Sequence, residues 1–88
     1  MRAVVTVVGA DKVGIVAGIT ATLAELNANI LEISQTLMSG AFTMMMVVSL
    51  EADQNFLAFQ NTLGQKGETL GVTVHIQNEA IFNAMHEL

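Results

Sequence analysis

The residues best suited to ligand chemistry lie in one loop, Gly9-Ala10-Asp11-Lys12-Val13-Gly14-Ile15-Val16, between a predicted strand and a predicted helix. A helix start presents unpaired amides and the positive end of the helix dipole. Glycines allow a ligand close to the backbone, so we expect an anionic group such as a carboxylate to dock here. Asp11 either caps the helix or reaches a ligand amine. The alternative is an ordinary capped turn with a packing glycine.

Other chemically capable side chains are scattered without a recognisable arrangement. His75 and His86 have no carboxylate motif around them, and Ser34, Thr36 and Ser49 lack the sequence partners of a nucleophile triad. The sequence has no cysteine, which excludes disulfides, thiolate chemistry and cysteine-ligated metals. We therefore predict no catalytic residue, no metal site and no cofactor.

Hydrophobic periodicity predicts the first three elements. Residues 3–8 are apolar or β-branched, as in a central strand. The steps between Val16, Ile19, Leu23 and Leu26 predict a helix that begins near residue 13. Residues 31–37 alternate between apolar and polar, which predicts a half-buried strand in which Gln35 is the one polar residue on the apolar side. Ser39-Gly40 then predicts a hairpin turn, and Asn29 either contacts a ligand or adopts a capping, left-handed conformation.

The second half of the sequence predicts a strand, a helix, a strand and a short helix. The third strand should bury one alternating set, Phe42, Met44, Met46, Val48 and Leu50, and leave Met45 and Val47 on the other face. We expect Asp53 to cap the second helix, and Gly64 and Gly67 to end it. Residues 72–76 alternate as a fourth strand, and Asn78 should cap an amphipathic C-terminal helix.

The order β-α-β-β-α-β predicts an α+β, ferredoxin-like sandwich over residues 1–88 as a single domain. Its four-stranded antiparallel sheet should carry two helices on one face, with a short C-terminal helix in addition. The other face includes Met45 and Val47, and these apolar residues favour a face that is covered over one that is exposed to solvent.

The composition predicts self-association. Hydrophobic residues make up 52% of the chain, whereas charged residues make up 12%, about half the ~25% of an ordinary soluble domain. Because a small domain needs a large polar surface, we expect a homodimer or a higher homo-oligomer. The net charge of -5 and only three cationic residues argue against nucleic-acid binding. No apolar run is long enough to span a membrane and the N-terminus is unlike a signal sequence, so we expect a cytoplasmic protein.

Asp11-Lys12-Val13-Gly14-Ile15-Val16, followed by Asn29-Ile30 at the second strand, resembles the ACT domain family over essentially the whole chain. Free-standing ACT proteins of this length form an uncharacterised bacterial and archaeal group. The resemblance implies an amino-acid site between the first loop and the start of the second strand, often at an interface of two domains. It singles out Asp11, Lys12, Val13, Gly14, Ile15, Asn29 and Ile30. Many members have proline where this chain has Val13, a difference that loosens the loop without removing its amides.

Together these features predict a regulatory, non-enzymatic module that binds an amino acid as a homo-oligomer and is read by a regulated enzyme or regulator. The alternative is a ligand-free oligomerisation or docking module. Two relatives of the fold are disfavoured by the residues. Acylphosphatases need an arginine in the first loop, where Lys12 is the only cation, and RNA-recognition motifs need exposed aromatic residues.

Overall fold

The structure, a computed structural model, describes residues 1–10 and 13–86. Its strands are β1 (Arg2–Ala10), β2 (Asn29–Met38), β3 (Ala41–Ser49) and β4 (Thr73–Asn78), and its helices are α1 (Ile15–Glu25), α2 (Phe56–Leu70) and α3 (Glu79–His86). The strands form one antiparallel sheet in the order β2-β3-β1-β4. The predicted α+β, ferredoxin-like fold is therefore confirmed.

The pairing of β1 with β3 organises the core. It runs without a register shift from Arg2 opposite Ser49 to Ala10 opposite Ala41. Side chains directly opposite each other share a face of a sheet, so alternate residues of both strands point toward α1 and α2. The buried residues on this side are Ala3, Val5, Val7, Phe42, Met44, Met46 and Val48, which pack with Ile19, Leu23, Phe59 and Leu63 of the helices. The predicted buried face of the third strand is confirmed.

Helix α1 ends in a left-handed residue, Asn27, with φ of 58°. The amide of Ala28 donates to the carbonyl of Leu23 at 2.9 Å, and that of Asn27 donates to Ala24 at 3.1 Å. These two hydrogen bonds form a Schellman motif, which satisfies carbonyls that the helix end leaves unpaired. The conformational role that the sequence suggested for Asn29 therefore belongs to Asn27.

Helix α2 differs from its predicted bounds at both ends. Its N-cap is Asn55, whose Oδ1 accepts a hydrogen bond from the amide of Ala58 at 3.0 Å, and not Asp53. The helix also continues through Gly64 and Gly67 to a left-handed Gly71. Gly67 is buried where α2 crosses β4, so its small size serves close packing rather than termination.

Strand β2 is the main departure from expectation. It was predicted to be half-buried, yet every residue from 31 to 38 is exposed. The register places Ile33, Gln35 and Leu37 on the same side as α1 and α2. The sheet has two edge strands, β2 and β4. The two helices pack over β3, β1 and β4 and leave this side of β2 in solvent.

Helix α3 lies on the sheet face opposite α1 and α2, which we call the open face. Arg2 and Gln77 lie on that face, and both contact α3: Arg2 pairs with Glu79 at 3.1 Å, and Gln77 Nε2 donates to the sulfur of Met85 at 3.5 Å. Val4 beneath them is only 5% exposed. Asn78 Oδ1 accepts from the amide of Ala80, which confirms the predicted cap. The sheet face that the two long helices leave free is therefore covered at one corner by α3.

None of the helices within residues 1–10 and 13–86 combines the length and apolar character that a membrane span requires.

We expect opposite effects from two alanine substitutions in α2. In Gly67→Ala, the new methyl group would lie 2.5 Å from Val74 Cγ2 and 3.2 Å from the carbonyl of Val72, which should lower the free energy of unfolding by about 1–3 kcal/mol. In Gly64→Ala, no atom lies within 4 Å, and removal of a helical glycine should raise that free energy by about 0.5–1 kcal/mol. Urea unfolding of both variants measures the difference. Equal values would contradict the packing role of Gly67.

A second pair of variants tests the start of α2. Asn55→Ala removes the bond to the Ala58 amide and should cost about 1 kcal/mol of unfolding free energy. Asp53→Ala alters an exposed residue outside the helix and should change that free energy by less than about 0.5 kcal/mol. Thermal unfolding followed by circular dichroism compares the two variants. A larger loss of stability in Asp53→Ala would show that Asp53, and not Asn55, caps the helix.

Candidate functional site

The start of α1 presents open backbone amides. Its N-cap residue is Gly14, with φ of 92°, and no side chain of the described residues caps it. Helix α2 of the same chain, by contrast, is capped by Asn55. A methyl group built on Gly14 would meet no atom within 4 Å, and neighbouring Val13 is fully exposed. No described residue therefore obstructs the first turn of α1, where the helix dipole favours an anionic group.

The other residues predicted in this loop differ in whether a ligand can reach them. The side chain of Ile15 is 2% exposed and belongs to the hydrophobic core, so only its amide can face a ligand. Asp11 and Lys12 lie outside the described residues. Val13 and Gly14 thus form the accessible part of the predicted loop.

Asn29 and Ile30 open β2. Asn29 is exposed, lies in extended strand opposite Ser49, and its side chain makes no hydrogen bond to a described residue. Ile30 pairs with Val48 and packs against the core, so its side chain holds the strand in place. Of these two predicted residues, Asn29 has the free polar groups that a ligand needs.

Within one copy of the protein, the fold places the two halves of the predicted site at opposite ends of the sheet. Asn29, Ser49 and Arg2 form a row at one end of the sheet, whereas Met38, Ala41 and Ala10 form the row at the other end. Gly14 follows Ala10, and Asn29 follows the far end of α1. The 11 residues of α1 span about 16 Å. One chain alone therefore does not bring Gly14 and Asn29 together.

Sequence reasoning missed the exposed edge of β2. Ile33 is 47% exposed and Leu37 is 60% exposed, and β2 pairs only with β3. Alternate residues of this ten-residue edge strand thus offer unpaired backbone groups beside apolar side chains. The available signal was Gln35, because a polar residue in the apolar set of a strand is costly in a covered position and tolerable at an edge.

Two surface concavities lie away from Gly14. A shallow depression of about 490 Å³ on β2 and β3 is lined by Glu32, Ile33, Ser34, Met45 and Val47. A second depression of about 290 Å³ lies between α1 and α2, where Glu25 and Lys66 are its charged residues. The described part of the chain contains no group of three acidic or histidine side chains placed to hold a metal ion.

The chain resembles known proteins along its whole length. UPF0237 protein YjhC of Lactococcus lactis is 76% identical over 88 residues, which is 100% of both chains. The solved structure of an ACT domain protein from Streptococcus pneumoniae is 50% identical, with 93% of each chain covered and a TM-score of 0.85. A putative glycine cleavage system transcriptional repressor shares the fold alone, at 22% identity and a TM-score of 0.77, over 86% of this chain and 44% of that one.

Residues 2–77 match the ACT domain family. The match includes Gly14 at the start of α1 and Asn29 at the start of β2, two of the exposed positions that the sequence analysis selected. Because the match covers most of the chain and a full-length relative is 76% identical, the chain belongs to the ACT domain family.

Proposed function

We propose that this chain is a cytoplasmic regulatory module, one domain over residues 1–88, that binds an amino acid as a homo-oligomer and catalyses no reaction. ACT domains in general are regulatory and bind ligands. The observation that carries the proposal is the uncapped start of α1 at Gly14, which is exposed and open to a ligand. A regulated enzyme or regulator would read the bound state.

The carboxylate of the amino acid would accept hydrogen bonds from the first-turn amides of α1. These amides follow Gly14, and the positive end of the helix dipole adds to the attraction. The ammonium group needs an acceptor, which the amide oxygen of Asn29 can supply. Asp11 is a second candidate acceptor because it immediately precedes this turn in sequence.

The separation of Gly14 from Asn29 within one chain supports a site shared between two copies. If the exposed edges of two β2 strands pair in antiparallel fashion, a two-fold axis relates the copies. The beginning of one β2 then lies at the end of the other. Since the end of β2 at Met38 shares its row with Ala41 and Ala10, Asn29 of the second copy comes to the sheet end that carries Gly14.

Charge and hydrophobic pattern favour a two-fold axis near Gln35. In that register, Ile33 of each copy lies opposite Leu37 of the other, so the exposed apolar residues cover each other. The two Glu32 carboxylates are six positions apart, or about 20 Å, which avoids repulsion between like charges. An axis near Glu32 would place these carboxylates side by side. The β2 edge thus supplies both an apolar contact and a completed ligand site.

Ligand binding at a shared site would stabilise the assembly by mass action, because only the assembled form offers both halves of the site. The ligand would bias the equilibrium between separate and paired copies, and a partner that recognises the pair would sense the amino acid.

A screen of the common amino acids by thermal shift tests this function. At a concentration of 100 times Kd, a ligand adds about 2.7 kcal/mol to the stability of the folded state. In a domain of this size that raises Tm by roughly 10 °C or more. We expect one amino acid or a small related group to give this rise. If all of them leave Tm unchanged while the protein remains assembled, the ligand-free oligomerisation module is supported instead.

Trans-complementation tests whether two copies share the site. Gly14→Ala places a methyl group at φ of 92°, which costs about 1–2 kcal/mol and obstructs the amides, while Asn29→Ala removes an exposed side chain. Each variant alone should lose binding of the amino acid found in the screen, measured by isothermal titration calorimetry. An equimolar mixture of exchanged subunits should recover about one quarter of the wild-type sites, because half the dimers are mixed and each holds one intact site.

Gly71→Ala is the matched control, because Gly71 is left-handed with φ of 76° but ends α2. It should lose stability and retain ligand binding. If the mixture recovers no binding, the site lies within one chain.

A further inference from the structure

The methionines of the chain divide into buried and accessible ones. Met44 and Met46 are fully buried in the core, whereas Met38, Met45 and Met85 are 70%, 41% and 65% exposed. An oxidant must reach a thioether before it can react with it, so the folded chain offers the second group and shields the first. Accessibility alone does not select one of the accessible thioethers.

The sulfur of Met85 takes part in a bond that joins α3 to the sheet. Gln77 lies on β4, and its Nε2 donates a hydrogen bond to this sulfur at 3.5 Å. A thioether sulfur is a weak acceptor, so the bond is a weak one. A chemical change at this sulfur would therefore act directly on the contact between helix and sheet.

The bond lies at the end of α3 that is remote from β4. At the near end, Asn78 caps the helix and Glu79 pairs with Arg2 at 3.1 Å. Met85 lies six residues after Glu79, or about 9 Å along the helix. Because most of its side chain is exposed, apolar burial does little to hold it in place. The strength of the bond from Gln77 thus contributes directly to whether this end of α3 rests on the sheet.

We propose that Met85 is a site of reversible oxidation by peroxides, and that Gln77 makes the oxidised side chain a latch for α3. The sulfur attacks one oxygen of hydrogen peroxide, an S–O bond forms and the O–O bond breaks. The sulfur gives up two electrons, and the second oxygen takes the proton of the first and leaves as water. This site needs neither a bound amino acid nor a second copy, so it is independent of the proposed function.

Oxidation should strengthen the contact, because a polar sulfoxide oxygen replaces a weakly accepting sulfur. The side chain of methionine is flexible, and rotation about its last bonds brings the new oxygen to the N–H of Gln77. The exposure of Met85 keeps the desolvation cost of that oxygen small. One ordinary hydrogen bond gained in this way shifts the opening equilibrium of α3 by about fivefold.

Hydrogen–deuterium exchange of the full-length chain, before and after treatment with hydrogen peroxide, tests the proposal. Peptide mass spectrometry should find an added oxygen on Met85 and Met38, and none on Met44 or Met46 while the chain stays folded. The amides of α3 should then exchange about fivefold more slowly. Methionine sulfoxide reductases of both epimer specificities should restore the original rate.

Three variants assign the effect to its residues. Met85→Leu removes the thioether and Gln77→Leu removes the donor, so both should abolish the slowing in α3. Met38→Leu is the matched control, because it removes a comparably exposed methionine from β2, at the other edge of the sheet from β4. It should leave the slowing intact.

Unchanged or faster exchange of α3 in the oxidised wild type would overturn the proposal. So would slowing that persists in Met85→Leu or in Gln77→Leu, or a Met85 that stays unoxidised while Met38 reacts. Circular dichroism shows whether each variant keeps the native fold. If Gln77→Leu does not fold, Met85→Leu still decides the outcome, because it changes a mostly exposed side chain.

Discussion

The uninterrupted pairing of β1 with β3 is the constraint on which the rest of the structure depends. Because side chains alternate along a strand, this one register sends Val5, Val7, Met44 and Met46 toward the helices and assigns every other residue to the open face. The same pairing sets the two ends of the sheet. It therefore decides that the loop before α1 is at one end and the start of β2 is at the other.

The two long helices begin in different ways, and the proposed ligand site rests on this difference. Helix α2 satisfies one of its first amides with its own Asn55, so its start needs nothing else. Helix α1 begins at a glycine that has no side chain to offer, and a left-handed glycine cannot be replaced without strain. Among the described residues, a side chain thus caps the start of α2 and none caps the start of α1, where the helix dipole favours an anionic ligand.

The few charged residues of the chain are distributed unevenly over its surface. The outer side of the helices carries Glu25, Lys66 and Glu68, and these keep that layer polar. The β2 edge carries Glu32, and the open face carries in addition Arg2, which pairs with Glu79 of α3. The β2 edge also exposes apolar side chains, Ile33 and Leu37, beside unpaired backbone groups, a combination that monomers in water usually protect. This distribution is the physical basis for proposing that the β2 edge is a contact between copies.

Much of the fold followed from the sequence because it depends on near neighbours. Alternation identified the buried faces of β1 and β3, and turn and cap residues identified the hairpin at Ser39-Gly40 and the start of α3 at Asn78. Gly14 was recognised in the same way, since a glycine before an apolar helix is a local signal. The choice of Asp53 over Asn55 was wrong because both residues can cap, and only the bond to Ala58 distinguishes them.

The sequence by itself determined the order of the elements, the buried sides of β1 and β3 and the glycine at the start of α1, because periodicity and capping operate over a few residues. The tertiary structure decided the rest. It made β2 an exposed edge strand, buried Gly67 against β4, and set Gly14 and Asn29 near opposite ends of the sheet. These features depend on which strands are neighbours in the sheet, and pairing between distant segments leaves no periodic trace in either segment alone.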